Sequence, residues 1–287
     1  MKSKPRLIVG FLEERDLVEK LAKSMSLPFE LALVSQYRAG EIHIKGPKKS
    51  PAEAVVFSNV DENPETFFKV LLLADSLREC GAKRIVLIAP WIAYGRQDRS
   101  TEPGEAPAGL VVARLLSDSF DRIITLDAHS LEFIKAFKGK LANMLIEPDE
   151  IERTCGLPFD LVVAPDFGAS HRAKRLADYT HLKYLVLKKI RHNGRVRVSF
   201  QGAKPDLIGA RILMVDDMAD SGSTLAEAAK LLKKAGARSI AAFVTHAMDG
   251  EKLAKNLKPL ISPVTCAYNH KNNHLISSGL LTLMAGL

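Results

Sequence analysis

The stretch Ile212-Leu-Met-Val-Asp216-Asp217-Met-Ala-Asp220-Ser221-Gly222-Ser223-Thr224-Leu-Ala-Glu-Ala-Ala-Lys230 predicts a buried strand ending in two carboxylates, a polar loop and an amphipathic helix. In an open α/β sheet, ligands bind at the carboxyl ends of the strands, where helices begin. The loop's N–H groups can hold a phosphate there, and paired carboxylates suit sugar hydroxyls or a hydrated Mg²⁺. The stretch therefore indicates a site for a phosphorylated ribose. The alternative is a surface acidic turn beside a capped helix.

Composition and charge define the class of protein. The chain has 287 residues, 47% hydrophobic and 26% charged, as expected for a globular protein with one large or two modest domains. Its net charge of +8 comes from scattered lysines and arginines, without a helix-turn-helix, RNA-recognition or zinc-finger pattern. We therefore expect no nucleic-acid partner, and the positive charge suits polyanionic small substrates.

We expect a cytoplasmic protein that does not bind a membrane. No apolar run approaches the ~20 residues that span a bilayer. The first residues, 1–5, lead directly into a strand-like segment, without the apolar core and cleavage site of a signal peptide. Cys80, Cys155 and Cys266 are isolated and lack CxxC spacing. We therefore expect reduced thiols without a metal role.

The predicted elements fall into two halves with the same pattern. Apolar, strand-like runs alternate with helical patterns along the whole chain, which is typical of mainly parallel sheets covered by helices. Cys80-Gly-Ala-Lys-Arg-Ile and Ala235-Gly-Ala-Arg-Ser-Ile each read as a helix end, a glycine stop and a basic step into a strand. We predict an α/β fold of two tandem domains, residues 1–147 and 148–287. The predicted strands are Arg6–Gly10, Ala54–Ser58, Arg84–Ala89, Arg122–Leu126, Leu161–Ala164, Tyr184–Leu187, Ile212–Val215 and Ile240–Thr245, and the predicted helices are Glu13–Ser24, Pro64–Cys80, Ala106–Ser117, Ala169–Thr180, Thr224–Ala235 and Gly250–Leu257.

A second polar segment follows a predicted strand of the first half. Pro90-Trp-Ile-Ala-Tyr-Gly-Arg96-Gln97-Asp98-Arg99 offers two guanidinium groups suited to phosphate oxygens. Gln97 and Asp98 can hold a base edge or orient the arginines. A surface salt-bridge loop is the alternative.

Two more strand ends carry candidate metal ligands. Asp127-Ala-His129 closes one strand, and His129 either ligates a divalent metal or is simply packed and hydrogen-bonded. Pro165-Asp166-Phe-Gly follows another strand, and Asp166 suits Mg²⁺ or a helix N-cap equally well.

A basic segment, residues 188–197, leaves a strand in the second half. We expect it to be flexible, and such a segment either closes over a reacting phosphate or forms a solvated charge run. The chain contains no GxxxxGK[ST] motif, which excludes a P-loop site, and no HExxH motif. Together these segments favour phosphoryl-type transfer on a scaffold without a P-loop.

These motifs, in this order, resemble those of the ribose-phosphate diphosphokinases, which make phosphoribosyl diphosphate from ribose 5-phosphate and ATP. The match extends over the whole chain and includes Tyr37-Arg-Ala-Gly-Glu41, Tyr-Gly-Arg-Gln-Asp-Arg, Asp-Ala-His, Pro-Asp-Phe-Gly, Lys-Ile-Arg and Val-Asp-Asp…Asp-Ser-Gly-Ser-Thr. The resemblance implies two type I phosphoribosyltransferase-like domains, Mg²⁺ as cofactor, and a homo-oligomer that is at least a dimer.

The resemblance also assigns roles to individual residues. His129 and Asp166 would position Mg²⁺ on the triphosphate, and Lys189 and Arg191 would stabilise the transition state. Tyr37 and Glu41 would approach the adenine from a neighbouring subunit. The ATP-binding set also includes Arg96, Gln97, Asp98 and Arg99. The ribose 5-phosphate set is Asp216, Asp217, Asp220, Ser221, Gly222, Ser223 and Thr224.

The chain departs from the family pattern at several places. Ala39 replaces the usual Asp of the adenine segment, and Ser223 stands where a second Gly is common. The segment Ser100–Pro107 is short, as in the archaeal-type members, which leaves phosphate activation and ADP inhibition open. The part after His246 also differs from the commonest pattern.

Two other functions remain open at this stage. A phosphoribosyltransferase that consumes phosphoribosyl diphosphate would explain the 216–224 segment but not the remaining motifs together. A non-catalytic regulatory homologue is favoured by Ala39, whereas the Lys-x-Arg pair and the metal residues argue against it.

Overall fold

A computed structural model describes residues 6–156, 158–192, 195–203, 205–272 and 274–275, without the side chains of residues 191, 192, 195 and 196. Its chain divides into two compact units, the first ending at Leu145 and the second beginning at Ile146. The domain boundary after residue 147 stays a prediction. Across the described ranges, no helix has the length and apolar character to cross a membrane.

The first unit is built on a parallel sheet. Within the described residues, its strands lie in the order β2-β1-β5-β6-β7-β8, and a separate hairpin pairs β3 with β4. The strands are β1 Arg6–Gly10, β2 Phe29–Leu31, β3 Leu33–Gln36, β4 Ile42–Lys45, β5 Glu53–Phe57, β6 Arg84–Ile88, β7 Arg122–Leu126 and β8 Leu141–Met144. The helices are α1 Arg15–Met25, α2 Pro64–Glu79, α3 Ala108–Ser119 and α4 Leu131–Ala136.

The second unit has five parallel strands with an antiparallel strand at each edge. Its order within the described residues is β11-β10-β9-β12-β13-β14-β15. The strands are β9 Leu161–Ala164, β10 Lys183–His192, β11 Arg195–Phe200, β12 Arg211–Ala219, β13 Ser239–Ala247, β14 Val264–Asn269 and β15 His274–Leu275. The helices are α5 Pro148–Cys155, α6 Ser170–Thr180, α7 Ser223–Lys234 and α8 Gly250–Leu257.

The two units repeat one topology. The order β2-β1-β5-β6-β7 of the first corresponds to β10-β9-β12-β13-β14 of the second. After the second strand, the first unit inserts the separate β3–β4 hairpin, and the second unit inserts β11, which pairs back on β10. The helices α1, α2 and α3 occupy the same places along the chain as α6, α7 and α8. The predicted fold class, two mainly parallel α/β units, is confirmed.

Each unit has its own apolar core. In the first, Val56, Leu87 and Ile123 pack in one cluster with Leu73 of α2 and Leu116 of α3. The second core combines strand residues with buried alanines and leucines of α7 and α8. Full burial of one aliphatic side chain contributes about 1.5–3 kcal/mol, so each helix is held mainly by its apolar face. The three cysteines are free thiols.

Most predicted bounds shift by up to two residues, and two regions differ more from the structure. The strand predicted over Ile212–Val215 continues through Ala219, because β12 keeps pairing with β13 after it has left β9. The described residues of the basic segment, predicted as a loop, lie in two antiparallel strands, and the predicted flexibility stays a prediction. Lys189 of β10 lies opposite Val198 of β11, so the backbone of this segment is satisfied by ladder hydrogen bonds.

A carboxyl group is buried at the carboxyl edge of the first sheet. Glu14 ends a short 3₁₀ turn after β1 and is 6% exposed. Burial raises the pKa of Glu14 from 4.5 to about 7, against the opposing effect of hydrogen bonds from Asn59 and Ser58.

This pKa predicts a stability that depends on pH. Below pH 4.5 the Glu14 carboxyl is mostly protonated in both the folded and the unfolded state. Between pH 4.5 and 7 it ionises in the unfolded state but stays mostly protonated in the folded state, so rising pH favours unfolding. The unfolding free energy of the wild type relative to Glu14→Gln should therefore fall by about 3 kcal/mol as pH rises from 4.5 to 7. Urea unfolding of both proteins between pH 4.5 and 8 measures this difference. A constant difference would contradict the assignment.

Candidate functional site

The second sheet has a topological switch point between β9 and β12. From these two adjacent strands the chain continues outward in opposite directions, to β10 on one side and to β13 on the other. Such a point opens a crevice at the carboxyl edge of the sheet, where ligands of open α/β folds bind. Asp166 follows β9, and Asp216 and Asp217 lie in the part of β12 that extends beyond β9.

Three carboxylates affect one another at this crevice. Asp217 is buried, and its Oδ1 accepts a hydrogen bond from the Met218 N–H at 2.8 Å. Desolvation raises the pKa of Asp216 well above its usual value, and the charges of Asp217 and Asp166 raise it further. Arg172 of α6 opposes the shift. The site therefore has an excess of negative charge that a bound cation would offset.

Asp166 forms a cap, one of its two predicted alternatives, and its role as a Mg²⁺ ligand stays a prediction. Its Oδ1 accepts from the Gly168 N–H at 3.0 Å, which caps the 3₁₀ turn Phe167–Ala169. Its Oδ2 pairs with Lys189 Nζ at 2.8 Å, and both side chains are largely shielded from solvent. The pair fixes the Lys189 ammonium at the carboxyl end of β9.

The donor set fits Mg²⁺ in the way that substrate-bound magnesium is usually held. Among the described residues, no three His, Cys, Asp or Glu side chains gather as a complete metal site. Mg²⁺ keeps several waters and binds through one or two carboxylates plus substrate phosphates. Asp166 and its acidic neighbours suit such a partial ligand set, whereas His129 belongs to the first unit.

The loop after β12 has the features expected of a phosphate cradle. Asp220, Ser221 and Ser223 are exposed, and α7 begins at Ser223 without a side-chain cap. The Ser223 N–H already donates to the Ser221 hydroxyl at 3.4 Å. The N–H groups that follow in the first turn have no intrahelical partner, so they are available to an anion. Gly222 has a φ of +76°, and a Cβ there would lie 2.8 Å from Leu253 Cδ1. The loop geometry therefore requires glycine at this position.

The arginine segment of the first unit is a turn anchored at both ends. Tyr94, at a φ of +65°, donates its hydroxyl to the Glu62 carbonyl at 2.9 Å. The Gln97 carbonyl accepts from the N–H of Gly109 in α3 at 2.9 Å. Arg96 is exposed and, within the described residues, makes no ion pair, so its guanidinium is available to phosphate oxygens.

The predicted loop residues contact the turn that carries His129. Asp98 Oδ2 accepts from the Ser130 hydroxyl at 2.6 Å, and Ser130 in turn caps α4 by accepting from the Phe133 N–H. A Cβ on Gly95 would lie 3.3 Å from His129 Cβ. Asp98 therefore orients the loop. Arg99 lies 3.9 Å from Asp98 in a loose, exposed pair.

Tyr37 and Glu41 lie at the turn of the β3–β4 hairpin. The Tyr37 N–H donates to the Glu41 carbonyl at 2.9 Å, and the Tyr37 ring meets His43 edge-on at 5.4 Å. Tyr37 is 58% exposed. Much of the Tyr37 ring is therefore open to solvent, and its contact with a nucleotide stays a prediction.

The structure thus brings the predicted residues together in two groups. In the first unit, Arg96, Gln97, Asp98 and Arg99 share one turn, which contacts the segment that carries His129. Thr224 lies in the first turn of α7, close in sequence to the acidic part of β12. The backbone of Arg191 lies in β10, but its side chain is outside the described part of the chain.

Sequence reasoning missed three contributors. Arg172, in the first turn of α6, lowers the pKa of Asp216. Its position in the helix that follows Asp166 could have indicated this role. Ser130 was recognisable as a serine cap before a short apolar helix. The contact between Glu14 and Asn59 joins segments 45 residues apart and had no local signal.

Comparisons with known proteins agree with this arrangement. Residues 7–119 match the model of the N-terminal domain of ribose phosphate pyrophosphokinase, and residues 141–276 match the phosphoribosyl transferase domain. The ribose-phosphate pyrophosphokinase of Thermococcus kodakarensis is 33% identical over 76% of this chain and 78% of its own. That of Methanopyrus kandleri is 32% identical over 84% of each chain.

A solved structure supports the fold. The phosphoribosylpyrophosphate synthetase of Mycobacterium smegmatis superposes with a TM-score of 0.83 over 99% of this chain and 98% of its own. Its sequence identity is 23%, so the likeness concerns the fold. The two units are therefore confirmed as the phosphoribosyltransferase-like pair that the sequence resemblance implied.

The loop glycine provides a test of the site's construction. Gly209 has nearly the same φ as Gly222, +75°, but a Cβ there would meet nothing within 4 Å. Gly209→Ala should cost about 1–2 kcal/mol of unfolding free energy through the left-handed backbone alone. Gly222→Ala should cost roughly 1–3 kcal/mol more, because its methyl overpacks against Leu253 and Leu257. Equal losses in urea unfolding would contradict the close packing.

Proposed function

The chain belongs to the ribose-phosphate pyrophosphokinase family, and from that premise we propose that it transfers the diphosphoryl group of ATP to ribose 5-phosphate. The products are phosphoribosyl diphosphate and AMP. The observation that carries the proposal is the switch point of the second unit. Asp166 there pairs with the Lys189 ammonium and interacts with Asp216, and the loop after β12 passes through Gly222 into the start of α7.

Ribose 5-phosphate fits the β12–α7 segment. The N–H groups at the start of α7 and the hydroxyls of Ser221, Ser223 and Thr224 suit its 5-phosphate. The carboxylates of Asp216, Asp217 and Asp220 suit its ring hydroxyls, because carboxylates accept hydrogen bonds from sugar O–H groups. This assignment leaves the anomeric hydroxyl as the attacking group.

ATP fits the arginine turn of the first unit. Arg96 and Arg99 suit the triphosphate, with Gln97 and Asp98 holding the turn and the nucleotide. Tyr37 and Glu41 would contact the adenine from a neighbouring subunit, so we infer at least a homodimer. We also infer a cytoplasmic location, where both substrates are made.

The reaction needs positioning and charge stabilisation more than covalent chemistry. The anomeric oxygen attacks the β-phosphorus, the bond from that phosphorus to the α-phosphate oxygen breaks, and AMP leaves. When bound, Mg²⁺ would supply positive charge to the phosphate oxygens, and Asp166 and His129 are its candidate ligands. Lys189 exchanges its Asp166 partner for the transferring group and, with Arg191, neutralises charge that develops there.

A regulatory homologue without activity is the second candidate. Ala39, in the exposed hairpin turn between β3 and β4, lacks the carboxylate that the family's adenine segment usually carries. Such a protein would bind ATP without converting it.

Product analysis separates the candidates. Purified protein with ATP and Mg²⁺ should release AMP only when ribose 5-phosphate is added. AMP without the sugar, or no monophosphate from ATP, GTP or CTP, would contradict the proposal. ATP binding without turnover would favour the regulatory homologue.

Lys189 provides the test of the mechanism. Lys189→Ala should lower kcat roughly 10²–10³-fold, because a preorganised charge at the transition state is lost, while ribose 5-phosphate binding stays nearly intact. Lys188→Ala is the matched control, since Lys188 is exposed and lies outside the Asp166 pair. A small change in kcat with a large rise in KM would assign Lys189 to binding instead.

A further inference from the structure

The first unit has the same switch point as the second, between β1 and β5. The chain continues from β1 to β2 on one side and from β5 to β6 on the other. Glu14 ends the 3₁₀ turn after β1, and Asn59 follows β5. These residues occupy the places that Asp166 and the acidic part of β12 take in the second unit.

In the first unit this crevice is closed by a buried hydrogen-bond pair. Glu14 Oε1 accepts from both the backbone N–H and the side-chain Nδ2–H of Asn59, at 2.8 and 2.9 Å. Both residues are buried, at 6% and 7% exposure. The Glu14 carboxyl group therefore already accepts the hydrogen bond of the Asn59 N–H, which a ligand at this strand end would need.

The next helix is also unlike its counterpart. The Asn63 side chain caps α2 by accepting from the Glu65 N–H at 3.0 Å, and Pro64 begins the helix without an N–H. By contrast, α7 has no side-chain cap. Pro64 and the Asn63 cap thus remove two N–H groups from the start of α2, whereas in α7, within the described residues, only the Ser223 N–H has a side-chain partner, the Ser221 hydroxyl at 3.4 Å.

Asn59 connects instead to the arginine turn. Its Oδ1 accepts from the Trp91 N–H at 3.1 Å. The link continues through two backbone hydrogen bonds. The Val60 N–H donates to the Trp91 carbonyl at 2.9 Å, and the Ala93 N–H donates to the Val60 carbonyl at 2.7 Å. Tyr94 follows directly and opens the turn that carries Arg96.

We propose that Asn59, held by Glu14, is a positioning residue that fixes the Arg96–Arg99 turn for the triphosphate of ATP. The switch point of the first unit thus anchors the nucleotide loop, while that of the second binds sugar phosphate. The inference rests on the proposed function, because it assigns the turn to ATP. A displacement of about 1 Å in a positioning group is enough to weaken its action strongly.

The test is the substitution Asn59→Ser. Serine keeps the backbone N–H that donates to Glu14 but is too short to reach the Trp91 N–H. Asn63→Ser is the matched control, because it makes the same chemical change four residues away and serine still caps a helix.

Calorimetric titration with ATP and Mg²⁺, and separately with ribose 5-phosphate, gives the readout. We expect Asn59→Ser to raise the Kd for ATP by about tenfold or more, with unchanged affinity for ribose 5-phosphate. Asn63→Ser should resemble the wild type in both titrations.

Two results would overturn the inference alone: unchanged ATP affinity in Asn59→Ser, or loss of both affinities, which would mean that Asn59 supports the unit as a whole. Wild-type protein that fails to bind ATP would instead overturn the proposed function, and the inference with it. The wild-type titration therefore separates the two failures.

Discussion

Mutual repulsion among Asp166, Asp216 and Asp217 is the constraint on which the candidate site depends. Strands β9 and β12 are parallel neighbours, so their carboxyl ends bring these side chains to one edge. Burial and like charge raise the pKa of Asp216 well above its usual value, and the Lys189 ammonium compensates only Asp166 directly. A site of this charge favours a cation together with a ligand rich in hydroxyl groups, and it places a lysine where phosphate oxygens would arrive.

The two units show how one topology serves two purposes. In the second, the helix after the switch point starts without a side-chain cap, and Gly222 allows the loop to approach α8 closely. In the first, the Glu14–Asn59 pair closes the crevice, and Asn63 caps the helix. The difference lies in a few side chains at the strand ends, so a shared fold alone does not determine where the ligand binds.

Much of the fold was predictable because its signals are local. Apolar runs and glycine stops gave β1, β7, β9 and α8 with their observed bounds. The end of β12 extends beyond its neighbour β9 and is a strand only because it pairs with β13. No local sequence pattern reveals such pairing. The basic segment around Lys189 was predicted as a loop because charge outweighed the alternation of Val196 and Val198 in β11.

The candidate site was predictable to a similar extent. Motif order identified the family, and the switch-point rule predicted that Asp166 and Asp216 would be neighbours. The Lys189–Asp166 pair and the Asp98–Ser130 contact join residues 23 and 32 positions apart, respectively, so only the folded chain reveals them. The same holds for Asn59, whose partners lie on two other strand ends.

The most direct test of the central claim is ³¹P NMR spectroscopy of the wild-type protein with ATP, Mg²⁺ and ribose 5-phosphate. Diphosphoryl transfer predicts that AMP and a sugar-bound diphosphate appear together, in equal amounts. The appearance of ADP with a second monophosphate on the sugar would show ordinary monophosphoryl transfer and would contradict the account.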